Sequence, residues 1–363
     1  MTHVLIARLD NDGDVLLAGP AVRAVAASAD QVTLWCGPRG RAAGALLPGV
    51  DVLFTHAVPW IDPQPEPVER TAMLALVEAL AGVGADEAIV LTSFHQSPLP
   101  TALLLRMAGL RRVVATSVDY PGSLLDVRHR VDEDVHEVER SLSLVAELGY
   151  RLPAGDLGTL AVALPQDDTA NPAREAGYVV VHPGASVPAR AWEPQRCAAT
   201  VDALLASGWR VVVTGSPSET DLTARVAGPT RPGVTDLGGT TTFATLARVL
   251  AGAAAVVVGN TGPAHLAAAV GTPVVSLYAP TVPAARWRPW GVPHELLGDQ
   301  RIACAGCRAQ VCPLPGHPCL DAVLPDDVVA AVRRLLAGRD HTTEPLVAAS
   351  SLSTTPAAEE VAR

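Results

Sequence analysis

Short runs of β-branched residues alternate with longer Ala/Leu stretches of helical period along most of this chain, and that alternation limits its fold more than any single motif. It is the pattern of an α/β protein with parallel sheets, whose strands are joined through helices that cover the sheet faces. In the first half it predicts strands over 3–9, 32–36, 52–54, 88–91 and 113–116, helices over 15–26, 68–81 and 99–108, and a long closing helix over 134–148. The second half repeats the theme, with strands over 178–182, 209–214, 255–259 and 274–278 and helices over 194–206, 218–226, 242–251, 263–270 and 326–337. Between the halves lies a Pro-, Gly- and Asp-rich segment, 152–172, whose apolar stretch 160–164 reads either as an edge strand or as linker. The expected organisation is a first domain over 1–152, a linker over 153–174, a second domain over 175–340 and a disordered Ser/Thr/Ala/Glu-rich tail over 341–363. A length of 363 residues, 49% of them apolar, is enough for two cores.

The charge balance narrows the partners. The chain has no lysine, so all 27 basic residues are arginines, and the net charge is −10 with no basic stripe. No nucleic-acid partner is therefore expected. The N-terminus enters its first strand without a basic start or cleavage pattern, and no apolar run free of charge reaches about 18 residues. A cytoplasmic location is expected, and peripheral contact with the inner face of a membrane is compatible with it.

Paired α/β domains of this kind place ligands at the carboxyl ends of their strands, in the cleft between them. Four second-half junctions carry polar residues there. In His182-Pro183-Gly184-Ala185-Ser186, followed by Arg190 and Trp192, Gly184 permits close backbone approach, Ser186 offers a hydroxyl, and Arg190 has the forked geometry suited to phosphate. The alternative reading is a turn with a surface arginine. In Thr214-Gly215-Ser216-Pro217-Ser218-Glu219, Ser218 reads as a helix cap and Glu219 as an acid that could accept bonds from ribose hydroxyls. Gly238 and Gly239 follow a strand whose bounds the pattern does not set, and Thr242 is a plausible cap for the next helix. Gly259-Asn260-Thr261-Gly262-Pro263-Ala264-His265 is the most specific of the four. A strand ends at Gly259, Pro263 fits the first turn of a helix, and the free N–H groups of a helix start form an anion site. His265, one turn along, is either packed or a ligand. Neither G-x-G-x-x-G after the first strand nor a phosphate-loop motif occurs, which disfavours dinucleotide oxidoreductases and NTPases of those kinds.

In the first half, the opening strand runs into Arg8-Leu9-Asp10-Asn11-Asp12-Gly13-Asp14 before a helix. Asp14 reads either as the N-cap of that helix or as a base facing the cleft; a helix start, which favours the ionised carboxylate, pulls against the second role.

Taken together, the run from Val4 through Gly13-Asp14-Val15 to Pro20, the segment His136-Glu137-Val138-Glu139-Arg140, Pro183-Gly184-Ala185-Ser186 with Arg190 and Trp192, and Thr261-Gly262-Pro263-Ala264-His265 with Gly271 and Pro273 resemble glycosyltransferase family 9, the ADP-heptose:lipopolysaccharide heptosyltransferases. The resemblance covers about residues 3–337. It implies a GT-B architecture, two Rossmann-like domains facing a cleft, with a nucleotide-sugar donor in the second domain and a glycan or lipid-linked acceptor in the first. It implies inverting transfer with no cofactor or metal required for catalysis, Asp14 as general base, and Arg190 with Ser186 on the diphosphate. Gly13 belongs to the Gly-Asp loop, Glu219 matches the ribose acid, and Asn260, Thr261, Gly262 and His265 match the donor loop. Two departures stand out. Arg190 replaces the family's usual lysine, and Asn260 replaces an aspartate, which exchanges a charge for a donor where sugar hydroxyls are expected.

Cys304, Cys307, Cys312 and Cys319 fall in one loop at spacing C-x2-C-x4-C-x6-C, with His317 among them. They read either as four ligands of a structural zinc or as free, packed thiols. Cys36 and Cys197 stand apart and are expected to be buried. Two rival functions remain at this level: a nucleotide-sugar epimerase on the same architecture, and a non-catalytic nucleotide-sugar binding protein.

Overall fold

The computed structural model describes residues 1–62, 64–131, 134–164, 173 and 176–337; the expected tail over 341–363 lies outside them, as does much of the linker. The first domain carries strands β1 (His3–Arg8), β2 (Gln31–Cys36), β3 (Val52–Thr55), β4 (Glu87–Leu91), β5 (Arg112–Thr116) and β6 (Val127–His129). The second carries β7 (Tyr178–His182), β8 (Val211–Val213), β9 (Val234–Asp236), β10 (Ala253–Gly259), β11 (Val274–Leu277) and β12 (His294–Leu297). Each set forms one six-stranded sheet, ordered β3-β2-β1-β4-β5-β6 and β12-β11-β10-β7-β8-β9. Every pairing is parallel. The two orders are the same when each domain's strands are counted from its own first strand. This is the doubly wound order, and its topological switch points fall between β1 and β4 and between β7 and β10. The α/β, GT-B expectation holds.

Sequence explains the strands directly. Parallel strands buried on both faces need continuous apolar runs rather than alternation, and Val179-Val180-Val181 of β7 and Val256-Val257-Val258 of β10 are such runs, all buried. Fully burying a side chain of this size contributes about 1.5–3 kcal/mol. The helices are α1 (Asp12–Ala26), α2 (Arg41–Gly44), α3 (Arg70–Val83), α4 (Leu99–Met107), α5 (Glu137–Glu147), α6 (Pro194–Ala206), α7 (Thr220–Ala227), α8 (Phe243–Ala251), α9 (Gly262–Ala269), α10 (Ala284–Trp287), α11 (Pro318–Asp321) and α12 (Pro325–Ala337). The last of these packs on α6, β10 and β12 within the second domain.

The domains share apolar packing. One buried cluster runs from Val4, Leu16 and Leu34 of the first domain to Tyr178, Leu246 and Ala264 of the second. Helix α9 sits in its middle. All six residues from Ala264 to Ala269 are buried, and its alanines let α1 approach closely. The stretch 160–164 forms no strand. It is linker packed on the first domain, with Leu160 buried and the Ala163 N–H donating to Leu46 O at 2.8 Å. Three strands escaped the sequence pattern. β6 and β12 were not foreseen, and β9 was foreseen without bounds. All three are sheet edges of three or four residues, too short to show a period.

Candidate active site

The loops leaving β1 and β4 meet those leaving β7 and β10 at the two switch points, and most of the expected site residues gather there. Helix α1 begins at Asp12, with Asn11 at the N-cap position making no side-chain cap bond. Asp14 is therefore not the cap; it lies in the first turn. Its Oδ1 faces the Arg8 guanidinium at 3.1 Å, and Oδ2 has no hydrogen-bond partner among the described residues. The cap reading failed because the helix starts three residues earlier than the apolar period suggests: Asp12, Gly13 and Asp14 precede the first apolar residue, Val15.

Across the cleft, Thr261 is the N-cap residue of α9, with Gly262 and Pro263 opening the helix. The two helix starts touch glycine to glycine. A Cβ built on Gly13 would stand 3.0 Å from Gly262 Cα and 3.1 Å from His265 Cδ2. Three buried polar atoms at this start lack a partner among the described residues: Asn260 Oδ1, Thr261 Oγ1 and His265 Nδ1. Buried polar atoms are rarely left unpaired, so an unpaired trio beside a helix N-terminus suits a polyhydroxylated anionic ligand. Asn260 is held by Nδ2 donating to Ala279 O at 3.2 Å. Burial holds the His265 imidazole down at about 4, against the opposing pull of Asp14. His265 is thus neutral near pH 7, both packed and facing the site.

Arg190 ends a short 3-10 turn, Pro188–Arg190. Its Nε donates to Thr281 Oγ1 at 3.2 Å, and Nη1 lies 3.5 Å from Asn260 O, which aims it at the start of α9. Ser186 is exposed on the adjoining loop. Glu219 is half-buried one junction away. Ser216, not Ser218, begins the following helical turn. Its N–H and Oγ–H both donate to Glu219 Oε2 at 2.8 Å in a capping box. The carboxylate also fills the space above Gly184, where a Cβ would overlap Glu219 Oε1. Thr242 does cap α8, accepting from the Thr245 N–H at 3.1 Å.

The cysteine loop stands behind Arg190. Cys304, Cys307, Cys312, Cys319 and His317 line one apolar cavity of about 130 Å³. Among the described residues, however, no three His, Cys, Asp or Glu side chains are placed to hold a metal ion. Cys307 is exposed, the Cys312 thiol points to Leu314 O at 3.6 Å, and Cys319 is buried against the second-domain core. All four thiols are free. The loop instead braces the Arg190 turn. The Ala189 N–H donates to Gln310 O at 3.0 Å, His317 Nε2 bonds Ala189 O at 3.0 Å, and the Arg308 N–H donates to Thr281 O at 3.0 Å. Cys36 and Cys197 are buried as expected.

The profile of glycosyltransferase family 9 (heptosyltransferase) matches residues 73–317. The chain belongs to glycosyltransferase family 9. Lipopolysaccharide heptosyltransferase 3 of Escherichia coli is 39% identical over 116 residues, which are 31% of this chain and 34% of that protein. The chain thus matches about a third of the length of that relative. Among solved structures, the family 9 glycosyl transferase of Veillonella parvula superposes with a TM-score of 0.74 at 16% identity, covering 93% of this chain and 98% of that one. The E. coli heptosyltransferase WaaC with ADP-2-deoxy-2-fluoro heptose gives 0.69 at 24%, covering 92% and 99%. At these identities the superpositions establish a shared fold.

In this family 9 chain several residues at the site went unnoticed in the sequence. The loop after β4, Thr92-Ser93-Phe94-His95-Gln96-Ser97, lies at the first-domain switch point. Phe94 reaches across the cleft to lie under Arg286, whose guanidinium carbon is 4.1 Å from the ring centroid, and beside Trp287 at 5.3 Å between centroids. Arg8, buried at the end of β1, binds three carboxylates. The loop was legible in principle, since a polar run after the fourth strand of a doubly wound sheet must face the ligand. The links from Arg8 to Ser93 and Glu137 were not, because those residues come from segments far from it in sequence.

Proposed function

We propose that the chain is an inverting, metal-independent glycosyltransferase that moves a heptose-like sugar from a nucleotide-diphosphate donor, ADP-heptose, to a hydroxyl of a glycan or glycolipid of the lipopolysaccharide-core type. The observation that carries this reading is the apposition of Asp14, with one free carboxylate oxygen, to the start of α9 with its unpaired polar trio and Arg190. In this reading the acceptor hydroxyl attacks the anomeric carbon opposite the diphosphate, and Asp14 takes its proton. The bond from the anomeric carbon to the diphosphate oxygen breaks with its electron pair on the diphosphate. Arg190, Ser186 and the N–H groups at Gly262 stabilise that charge by preorganised electrostatics, while Glu219 and Asn260 serve ribose and sugar hydroxyls. The acceptor occupies the first domain, with the protein cytoplasmic and in peripheral contact with the inner face of the membrane.

The test is Asp14→Ala and Asp14→Asn, assayed by ADP release from ADP-heptose with a deacylated lipopolysaccharide-core acceptor and by calorimetric titration of ADP. Turnover is expected to fall by about 10²–10⁴-fold with ADP affinity little changed. Normal turnover of either variant refutes the base assignment. ADP binding without any turnover by the native protein would favour a non-catalytic binder, and isomerised donor would favour an epimerase.

A further inference from the structure

The proposed base sits in an awkward place. It lies in the first turn of α1, near the positive end of the helix dipole, and its Oδ1 is 3.1 Å from a guanidinium. One of its two oxygens is thereby engaged, and only the other can face an acceptor.

Arg8 closes β1 and is 1% exposed. Each of its nitrogens faces an acid. Nε lies 3.0 Å from Asp10 Oδ2, Nη2 lies 3.1 Å from Asp14 Oδ1, and Nη1 lies 3.6 Å from Glu137 Oε2. Nη2 also donates to Ser93 Oγ at 2.9 Å. Burial works to lower the Arg8 pKa, but Asp10, Asp14 and Glu137 outweigh it and raise it, so the guanidinium stays charged. Asp10 is fixed in turn by Gln96, whose Nε2 donates to Oδ1 at 2.5 Å. Glu137 begins α5 and is shared with Arg140 at 3.6 Å. The preceding residue, His136, ties this helix start to the second domain: its Nε2 bonds Arg288 O at 3.1 Å, and its ring stacks on Trp290 at 4.4 Å. The other charged or titratable groups around Asp14 are His95 and His265 toward the cleft and Arg190 beyond them.

We propose that Arg8 is the positioning residue of the transfer: it pins one oxygen of Asp14 so that the other faces the acceptor, while Asp10, Glu137 and Ser93 hold the guanidinium itself in place. This rests on the reading of Asp14 as the base. Asp14 Oδ2 receives the acceptor proton, and Arg8 gives up none. Because Glu137 adjoins the residue that grips the second domain, the aim of Asp14 is coupled to the contact between domains.

The experiment compares Arg8→Gln, Arg8→Lys and Glu137→Gln with Asp14→Asn, using ADP-heptose and the deacylated core acceptor for kinetics, ADP for calorimetry, and circular dichroism for folding. Arg8→Gln is expected to lower kcat by about 10²-fold, the scale of a misplacement near 1 Å, with ADP affinity changed less than threefold. Arg8→Lys restores the charge but not the fork, and is expected to recover about tenfold of that loss. Glu137→Gln removes one of the acids that hold Arg8, so kcat is expected to fall severalfold with ADP affinity changed less than threefold. A folded Arg8→Gln or Arg8→Lys protein with native kcat overturns the proposal, as does a folded Glu137→Gln protein with native kcat. If Arg8→Gln does not fold, Arg8→Lys and Glu137→Gln decide alone. An inactive Asp14→Asn beside an active Arg8→Gln refutes only this inference, whereas an active Asp14→Asn refutes the underlying assignment of the base.

Discussion

Gly13→Ala tests the contact between helix starts directly. The new methyl would stand 3.0 Å from Gly262 Cα and 3.1 Å from His265 Cδ2, where carbon contacts ordinarily settle at about 3.5–4.0 Å. One neighbour is backbone and the other an imidazole on a helix buried along its length, so the relief is a separation of α1 and α9 by about 0.5–1 Å. Overpacking of this kind costs about 1–3 kcal/mol. Replacing glycine within a helix returns up to about 1 kcal/mol, leaving a net loss of about 0–3 kcal/mol. Thermal unfolding should shift by only a few degrees. Turnover should suffer more, because the same displacement moves the donor site from the base, and an error near 1 Å costs about 10²-fold. Gly82→Ala is the control. It lies in α3 with nothing within 4 Å of its Cβ, so it should be neutral to mildly stabilising and fully active. ADP-release kinetics and thermal melts on both variants check this. A Gly13→Ala protein with native kcat and native melting would show that the helix starts do not hold this approach during turnover.

Three further outcomes are expected. Burial holds both His136 and His265 down at about 4, below the unfolded value near 6.5, so their neutral forms favour the folded state. That stability is present above about pH 6.5 and is lost as pH falls toward 4, at about 3 kcal/mol for each ring. Asp10, pushed up by burial, works in the opposite sense, so the diagnostic is the flatter stability–pH curve of His265→Gln in denaturant titrations between pH 4 and 7. Asn260→Asp would set a carboxylate against Ala279 O, now 3.2 Å from Nδ2; it should lower stability by about 1–3 kcal/mol and weaken ADP-heptose binding, and an unaltered protein would refute the assigned amide orientation. Chelation with EDTA should leave turnover unchanged, and a loss restored by added divalent ion would overturn the metal-independent reading.

Legibility from sequence followed local physics. Central strands such as Tyr178–His182 and helices such as Pro194–Ala206 carry their own apolar runs and proline starts, and were placed to the residue. Edge strands such as Val127–His129 are too short to show a period, and only pairing with β5 makes them strands. At the site, α9 was readable because one contiguous segment holds its strand end, proline and histidine. Arg8 was not, since its meaning depends on Ser93 and Glu137, brought to it by the crossover to β4 and by α5. The cysteines show the converse: their shared loop is plain in the chain, whereas the single cavity they line with His317 depends on the fold.

The apolar cluster common to both domains sets the style of motion open to this chain. A clam-like opening about the linker would wet the seam between α1 and α9, where Leu16, Leu17, Ala264 and Ala267 are almost wholly dry, at about 1.5–3 kcal/mol for each large side chain exposed. Sliding one helix along the other by 1–2 Å keeps that seam closed. Substrate exchange should therefore proceed by shear through the mouth of the cleft, and small-angle scattering should find nearly the same radius of gyration with and without ADP.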